Sequence, residues 1–313
     1  MAHQGSRDVE GTCLIAGCGY VGRRLAQRMK LQGPVLGLVR TEGSAEALLR
    51  EGIPARAVTF ASAPPGEWFT VPPGLRSVVY LAPPSGSGVE DLGLRAFLSA
   101  LGPAHPGVLL YISTTGVYGD TGGAPVDENS PVVPREDRAR QRLEAEGQVG
   151  QWCTDRAVRS VVFRVPAIYG PYRLPLERLQ RGEPVLRSED SGPGNRIQVD
   201  DLVDACLVAL ERPVVGVFNL TDGQPVSMAD FTTHVAFLAG LPVPPRITWT
   251  EARGRLSPGL LSFLRESRRV TSGRTAELGW APRYTNIDDG IRASLAEMGW
   301  TSMLAGNPSS AIR

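Results

Sequence analysis

Three glycines, Gly17, Gly19 and Gly22, join an apolar run to a helical one: Leu14-Ile15-Ala16-Gly17-Cys18-Gly19-Tyr20-Val21-Gly22, then Arg23-Arg24-Leu25-Ala26. At this spacing the first glycine permits a sharp turn and the second lets the backbone approach a pyrophosphate. The third lets the helix pack closely on its strand. The helix N-terminus adds unsatisfied N–H groups and a partial positive charge. The chemistry implied is dinucleotide binding, with Gly17, Cys18, Gly19, Tyr20, Val21 and Gly22 on the phosphate side. In a chain with 36 glycines the spacing alone is weak, but its surroundings strengthen it. Cys13 to Ala16 is short and apolar like a buried parallel strand. Val21, Leu25 and Met29 repeat at helical spacing, Gly33-Pro34 ends that helix, and a second apolar run, Val35-Leu36-Gly37-Leu38-Val39, follows.

A dinucleotide has further ends to hold. In NAD-binding proteins an acidic residue about 20 residues beyond the glycines receives the ribose hydroxyls. Arg40-Thr41 stand at that place in this chain. An arginine suits the 2′-phosphate of NADP, a charge-assisted contact worth about 1.5–3 kcal/mol. NADP is therefore the expected cofactor, with NAD as the alternative, and Arg40 and Thr41 are its expected ribose contacts. A later strand ends Val78-Val79-Tyr80-Leu81-Ala82-Pro83-Pro84. Strand C-termini at the switch point of a doubly wound sheet line the cofactor crevice, so Leu81, Ala82 and Pro83 are candidate contacts.

The elements that must position these groups follow from apolar periodicity. The first half alternates strands (Cys13–Ala16, Val35–Val39, Ala57–Phe60, Ser77–Leu81, Val108–Ser113) with helices (Val21–Leu31, Ser44–Glu51, Glu90–Leu101). This alternation predicts an α/β fold, a doubly wound parallel Rossmann sheet with right-handed crossovers. Ala61–Pro73 reads as a surface loop rich in Pro and Gly. Further on, the pattern predicts a charged helix over Arg135–Gly150, a strand over Ser160–Val165 and an irregular stretch over Gly170–Asn195. A helix over Val199–Leu210 opens on paired aspartates, followed by a strand over Val217–Leu220 and a helix over Ser227–Leu238. Pro242–Pro245 reads as a linker and Arg265–Gly273 as a basic segment. The expected dinucleotide-binding domain spans 11–170, with 196–222 returning to it. A smaller C-terminal substrate lobe is expected from 171–195 and 223–300, with loose termini at 1–10 and 301–313.

Composition excludes several classes. The 313 residues are 42% hydrophobic with net charge +1, enough for a large core and ill suited to a dedicated nucleic-acid or membrane-surface binder. No run approaches the roughly 18 apolar residues of a membrane span, and residues 1–10 lack an apolar signal core. Cys13, Cys18, Cys153 and Cys206 have no metal-ligand spacing and read as reduced packing residues, in keeping with a cytoplasmic protein. His3, His105 and His234 are too dispersed for a metal cluster, and His234 reads as an ordinary helical position. Lys30 is the sole lysine of the chain.

Ile112-Ser113-Thr114-Thr115-Gly116-Val117-Tyr118-Gly119 resembles the S-[ST]-x-x-V-Y-G segment of the extended short-chain dehydrogenases/reductases, the NAD-dependent epimerase/dehydratase family. Arg164-Val165-Pro166-Ala167-Ile168-Tyr169-Gly170-Pro171 is similar to that family's R-x-x-x-x-Y-G-P segment, and Arg196-Ile197-Gln198-Val199-Asp200-Asp201-Leu202 to its R-x-x-V-D-D-[VL]. Phe218-Asn219-Leu220 and Glu277-Leu278-Gly279-Trp280 also match. The likeness is nearest to an atypical, YeeZ-like bacterial subgroup. The resemblance implies that Thr114 holds the hydroxyl that meets a substrate oxygen, and that Pro166 lies beside the cofactor.

The same resemblance exposes a break. The family carries Tyr-x-x-x-Lys on the helix after the hydroxyl; the tyrosine is its general acid/base and the lysine holds the nicotinamide ribose. The matching residues here are Arg138 and Arg142. Arginine stays protonated and cannot exchange a proton at neutral pH. Arg142 is expected on the ribose hydroxyls or a phosphate, and Arg138 on an anionic or carbonyl substrate. Tyr118, Tyr169, Asp120, Asp127 and Glu128 are the groups in the matched loops from which an acid could be recruited, with structural or solvated roles as the simpler reading. Two functions follow. One is an NADP-binding oxidoreductase, epimerase or dehydratase for a small carbonyl or sugar-like substrate; the other is a catalytically inactive NADP-binding sensor or scaffold. Either is expected as a monomer or homodimer, with a small-molecule substrate or ligand and neither nucleic acid nor membrane as partner.

Overall fold

The computed structural model describes residues 11–59, 69–84 and 88–301. Seven parallel strands form the central sheet: β1 (Thr12–Ala16), β2 (Val35–Val39), β3 (Ala55–Ala57), β4 (Leu75–Tyr80), β5 (Val108–Thr114), β6 (Arg159–Val165) and β7 (Gly216–Asn219). Their order is β7-β6-β5-β4-β1-β2-β3. The order reverses between β1 and β4, so the crevice opens at the carboxyl ends of those two strands. The strands are near-continuous apolar runs because helices cover both faces. Ile15, Leu110 and Phe163 pack toward one face; Leu14, Tyr80 and Tyr111 toward the other.

The helices are α1 (Tyr20–Met29), α2 (Glu42–Arg50), α3 (Leu92–Ala100), α4 (Asp137–Asp155), α5 (Leu176–Gln180), α6 (Val199–Glu211) and α7 (Met228–Ala239). They continue with α8 (Trp249–Ala252), α9 (Pro258–Arg265), α10 (Thr275–Leu278) and α11 (Ile287–Glu297). Helices α1 and α6 pack on one face of the sheet, while α3 and α4 cover the other. A separate core of Tyr169, Leu176, Leu179, Phe231, Val235, Ile291 and Leu295 holds α5, α7 and α11 together. Two-residue parallel pairings close the remaining loops: Pro125–Val126 with Arg269–Val270, and Val185–Leu186 with Arg246–Ile247.

Three local expectations change. The third strand starts earlier, at Ala55 rather than Ala57, because Gly37–Val39 pair with Ala55–Ala57 at the sheet edge, where apolar side chains are not required. Phe60 and most of the expected Ala61–Pro73 loop lie outside the described residues. The stretch 170–195, expected as irregular, contains α5, the strand Val185–Leu186 and a 3₁₀ turn at Ser188–Asp190; each is too short to leave a periodic pattern. The charged helix runs on to Asp155 and buries Gln141, Arg142, Ala145, Val149 and Trp152 along one face. The expected loose termini also lie outside the described residues, apart from Thr301.

One buried polar network joins these layers. Arg164 on β6 grips Glu146 on α4 with two parallel bonds (Nε to Oε1, 3.1 Å; Nη2 to Oε2, 2.8 Å), and their side chains are only 7% and 8% exposed. Ser113 Oγ on β5 donates to Glu146, and Arg164 Nη1 donates to the Tyr118 hydroxyl. Tyr118 in turn donates to Asn219 Oδ1 on β7 at 2.9 Å. Asn219 Nδ2 donates to Thr271 O, and its backbone N–H to Glu128, which also receives the N–H of Gly273. A buried ion pair contributes little net stability when intact but costs about 3–5 kcal/mol when one partner is removed. Arg164→Met, which strands the Glu146 carboxylate, is expected to lower unfolding free energy by that amount in a denaturant titration at unchanged slope. A loss below about 1 kcal/mol would show that the network does not hold the fold.

Candidate functional site

The glycine turn begins where β1 ends. Gly17 has φ +83°, and a Cβ built on it would stand 2.4 Å from the Ala82 nitrogen, so this residue brings the turn against the end of β4. Leu81 N–H donates to Ala16 O at 2.8 Å and completes that junction. A Cβ on Gly22 would press on Gly17 O, Ile15 and Leu81, at 3.0–3.3 Å, because α1 lies hard on the sheet. Gly19 is different: a Cβ there would meet nothing within 4 Å. Helix α1 starts at Tyr20 with no side-chain cap and no acidic residue in its first turn. The N–H groups of Tyr20, Val21 and Gly22, at the start of the helix, have no protein acceptor among the described residues. This arrangement fits a phosphate group on geometry and charge.

The flanks of the turn are fixed by packing. Cys18 is buried against Gly37, and burial pushes its thiol up to about 12, so it is a packing residue and not a nucleophile. The Tyr20 hydroxyl donates to Pro171 O at 2.8 Å, and the Arg173 guanidinium stacks on the Tyr20 ring at 4.2 Å. Residues 170–173 are thereby strapped to the phosphate turn. A groove of about 660 Å³ runs along α1 from Gly19 and Tyr20 past Ser44 and Leu48. Its arginines are paired: Arg23 with Glu51, Arg24 with Asp200 and Glu297, and Arg28 with Asp204.

Arg40 follows β2 directly, is exposed, and has no ion-pair partner among the described residues. Thr41 is used locally: its Oγ1 caps α2 by accepting from Ser44 N–H. Pro83 is exposed beyond β4, beside half-buried Leu81 and Ala82.

At the other end of the crevice, Thr114 terminates β5. Its Oγ1 accepts from Gly116 N–H at 3.1 Å and opens the 3₁₀ turn Thr115–Tyr118, leaving the hydroxyl proton available to donate. Gly116 lies between this hydroxyl and α4: a Cβ on it would be 3.4 Å from Thr114 Oγ1 and 3.5 Å from the Ala139 methyl. The α4 residue turned toward the Thr114 loop is thus buried Ala139, whereas Arg138 is exposed and makes no ion pair among the described residues. Arg142 is buried, and its Nη1 donates to the Tyr111 hydroxyl (3.1 Å) and to Ile112 O (3.0 Å), under the sheet end.

The side chains from which an acid could be recruited are largely occupied. Tyr118 makes both bonds of the buried network. Asp120 accepts from Gly122 and Ser267 N–H groups, which hold its carboxyl below the ordinary range. Asp127 serves Asn129 and Ser130, and Glu128 serves Asn219 and Gly273. Tyr169 is buried in the lobe core, where burial pushes its hydroxyl far up, and its oxygen fits only because Gly290 lacks a side chain. His234, expected as an ordinary helical residue, pairs with Asp288 at 2.6 Å between α7 and α11.

A second cavity, of about 60 Å³, lies where β5 and β6 end. Its walls include Thr115, Pro166, Ala167, Asn195, Glu266 and Arg268. Asn195 and Arg196 are buried at its back, where burial pulls Arg196 down to about 10 and pushes the neighbouring Asp222 up to about 6. Sequence reasoning gave no role to Glu146, Asn219, Glu266 or Arg268. The signal for Asn219 was present in its matched motif; Glu266 and Arg268 reach the cavity through folding alone.

Comparison with known proteins adds four relations. The model of the NAD dependent epimerase/dehydratase family matches residues 92–220. An epimerase family protein of Arabidopsis thaliana, the chloroplastic SDR39U1 homolog, is 25% identical over 304 residues, covering 88% of this chain and 84% of that protein. The structure of a functionally unknown conserved protein from Silicibacter pomeroyi superposes with a TM-score of 0.79 at 30% identity, over 92% of this chain and 99% of the other. The UDP-glucuronic acid 4-epimerase of Bacillus cereus, solved with NAD, shares the fold at a TM-score of 0.72 and 15% identity, over 92% and 98% of the two chains. Among the described residues no helix is long and apolar enough to cross a membrane, and no His, Cys, Asp and Glu group is placed to hold a metal ion.

The glycine geometry separates two substitutions. Gly19→Ala adds a methyl to empty space and is expected to keep the unfolding midpoint while weakening a nicotinamide dinucleotide at least about tenfold, a loss of about 1.4 kcal/mol. Gly17→Ala drives a methyl into the Ala82 backbone at positive φ and is expected to destabilise the fold itself by at least about 1–2 kcal/mol. Calorimetric titration beside thermal unfolding distinguishes them; an unchanged affinity in Gly19→Ala would remove the phosphate from this turn.

Proposed function

This chain belongs to the NAD dependent epimerase/dehydratase family, and from that premise we propose that it is an NADP-binding oxidoreductase, epimerase or dehydratase. Its substrate in this reading is a small carbonyl compound or a sugar-like molecule. The observation that carries the proposal is the open space over Gly19 together with the unpaired N–H groups at the start of α1. These groups would receive the pyrophosphate. Leu81, Ala82 and Pro83 would border the adenosine side, and Pro166 the nicotinamide side. The bound dinucleotide would supply hydride chemistry. What the chain supplies is placement, with the Thr114 hydroxyl oriented by Gly116 N–H to donate to a substrate oxygen.

NADP is preferred over NAD because Arg40 is an exposed, unpaired cation at the end of β2, where the ribose 2′ position falls. Arg142 would meet the nicotinamide ribose only with Nε and Nη2, since Nη1 is engaged beneath β5. Exposed Arg138 would meet an anionic group of the substrate from the rim.

One observation favours the sensor reading: the tyrosine–lysine pair is replaced by arginines, one exposed and one partly committed to the sheet. The discriminating measurements are NADPH oxidation with simple carbonyl compounds such as phenanthrenequinone, and NADP⁺ reduction or formation of an isomerised or dehydrated sugar nucleotide with UDP-glucose and UDP-glucuronic acid. Turnover supports the enzyme; tight NADPH binding with no turnover by any of them supports the sensor. For the cofactor itself, Arg40→Ala is expected to weaken NADPH roughly tenfold or more and to leave NADH within about twofold, read by nicotinamide fluorescence. An unchanged NADPH affinity would return the cofactor to NAD.

A further inference from the structure

The proposed reaction lacks a proton carrier, and the small cavity at the ends of β5 and β6 contains one. Glu266 follows α9. Its Oε2 accepts from Arg268 Nη2, while its Oε1 is closed to solvent and has no hydrogen-bond partner. The segment bearing it is pinned to the loop that follows Thr114. Ser267 N–H donates to Asp120, Thr121 and Gly123 N–H groups donate to Ser267 O, and Arg268 Nε donates to Gly119 O at 2.7 Å. Gly192 permits this approach, since a Cβ on it would fall 2.5 Å from Ser267 Oγ. The carboxylate is therefore held in register with the loop that begins at Thr114.

A carboxylate oxygen shielded from water and accepting nothing lacks the hydrogen bonds that water would give it. A ligand O–H or N–H supplies one. The other walls name the place: Thr115 is the residue after Thr114, and Pro166 follows β6. The cavity has room for a small group, such as a carbinol carbon and its hydroxyl.

We propose that Glu266 is the catalytic acid/base of this site, taking the role that the tyrosine of α4 plays elsewhere in the family, and that its partner is a secondary hydroxyl of the substrate. The role rests on the enzyme reading above. In the oxidative direction the substrate O–H bond breaks and its proton passes to Glu266 Oε1. The oxygen's electron pair forms the C=O bond, and the C–H bond breaks with its pair leaving as hydride, which an oxidised nicotinamide dinucleotide would accept when bound. In reduction, protonated Glu266 returns the proton to the carbonyl oxygen as hydride arrives at carbon. Arg268 fixes the carboxylate's orientation, and Thr114 donates to the same oxygen. Glu266 comes from the covering segment rather than from α4, so the arginines at 138 and 142 do not stop the reaction.

The test uses the full chain with NADPH and phenanthrenequinone, and with NADP⁺ and UDP-glucose or UDP-glucuronic acid. Glu266→Gln is expected to keep NADPH affinity and a folded circular dichroism spectrum at the assay temperature while lowering kcat about 10²–10⁴-fold. It is also expected to abolish the carboxylate ionisation in the pH profile of kcat/KM. Glu266→Asp should retain that ionisation at reduced kcat, which a merely structural role would not produce. Wild-type turnover with Glu266→Gln within about threefold of it overturns the assignment and leaves the enzyme reading intact. Tight NADPH binding with no wild-type turnover overturns the enzyme reading and Glu266's role with it.

Discussion

The charge pair Arg164–Glu146 is the constraint around which the crevice is organised. Two opposite charges removed from water are tolerated only with good geometry and with every remaining donor and acceptor matched. Here the matching uses one group from each neighbouring element: Ser113 from β5, Tyr118 from the turn after Thr114, and through it Asn219 from β7. Each of these elements has one acceptable position relative to the pair. The Thr114 loop, which carries the hydroxyl, and residues 271–273, which follow the covering segment, are both set by the same buried charges. Shape at the crevice is thus inherited from an interaction that contacts no ligand.

The dinucleotide end obeys a different rule, steric rather than electrostatic. Gly17 and Gly22 are needed because backbone and side chains already fill the space a Cβ would take, while Gly19 leaves its space open. The two ends meet through residues 170–173, which hang from β6 and reach the glycine turn by the Tyr20–Pro171 bond and the Arg173 stack. The carboxylates on α6 and α11 hold the far side of α1 by pairing with Arg24 and Arg28. An arginine-rich helix beside an anion site therefore keeps little free charge of its own.

Much of the sheet is legible in the sequence, because a parallel strand covered on both faces must be apolar throughout and its helices must be periodic. The strand Val35–Val39 falls where its apolar run lies, and the glycine turn is readable because each glycine answers a separate steric demand. Edge strand β3 is not legible: Ala55, Arg56 and Ala57 pair by backbone alone. Spacing places Arg138 where the family's tyrosine stands, yet the packing at Gly116 turns Ala139 to the loop, since a one-residue offset rotates a helix by about 100°. Glu266 is illegible for a deeper reason. It lies far along the chain from Thr114 and joins it only through the bonds of Ser267 and Arg268 to the loop after Thr114, which no local pattern encodes.

The link from Asn219 and Glu128 to residues 271–273 has a consequence for the order of events at the ribosome. The sheet partners of the glycine turn, β1, β2 and β4, all lie in the first part of the chain. The loop that follows Thr114 must wait for the Tyr118–Asn219 bond and then for Thr271 and Gly273. The sheet partners of the glycine turn thus precede in the sequence the groups that fix the loop after Thr114. The order of synthesis thus separates the half of the fold that bears the glycine turn from the later segments that complete the loop after Thr114.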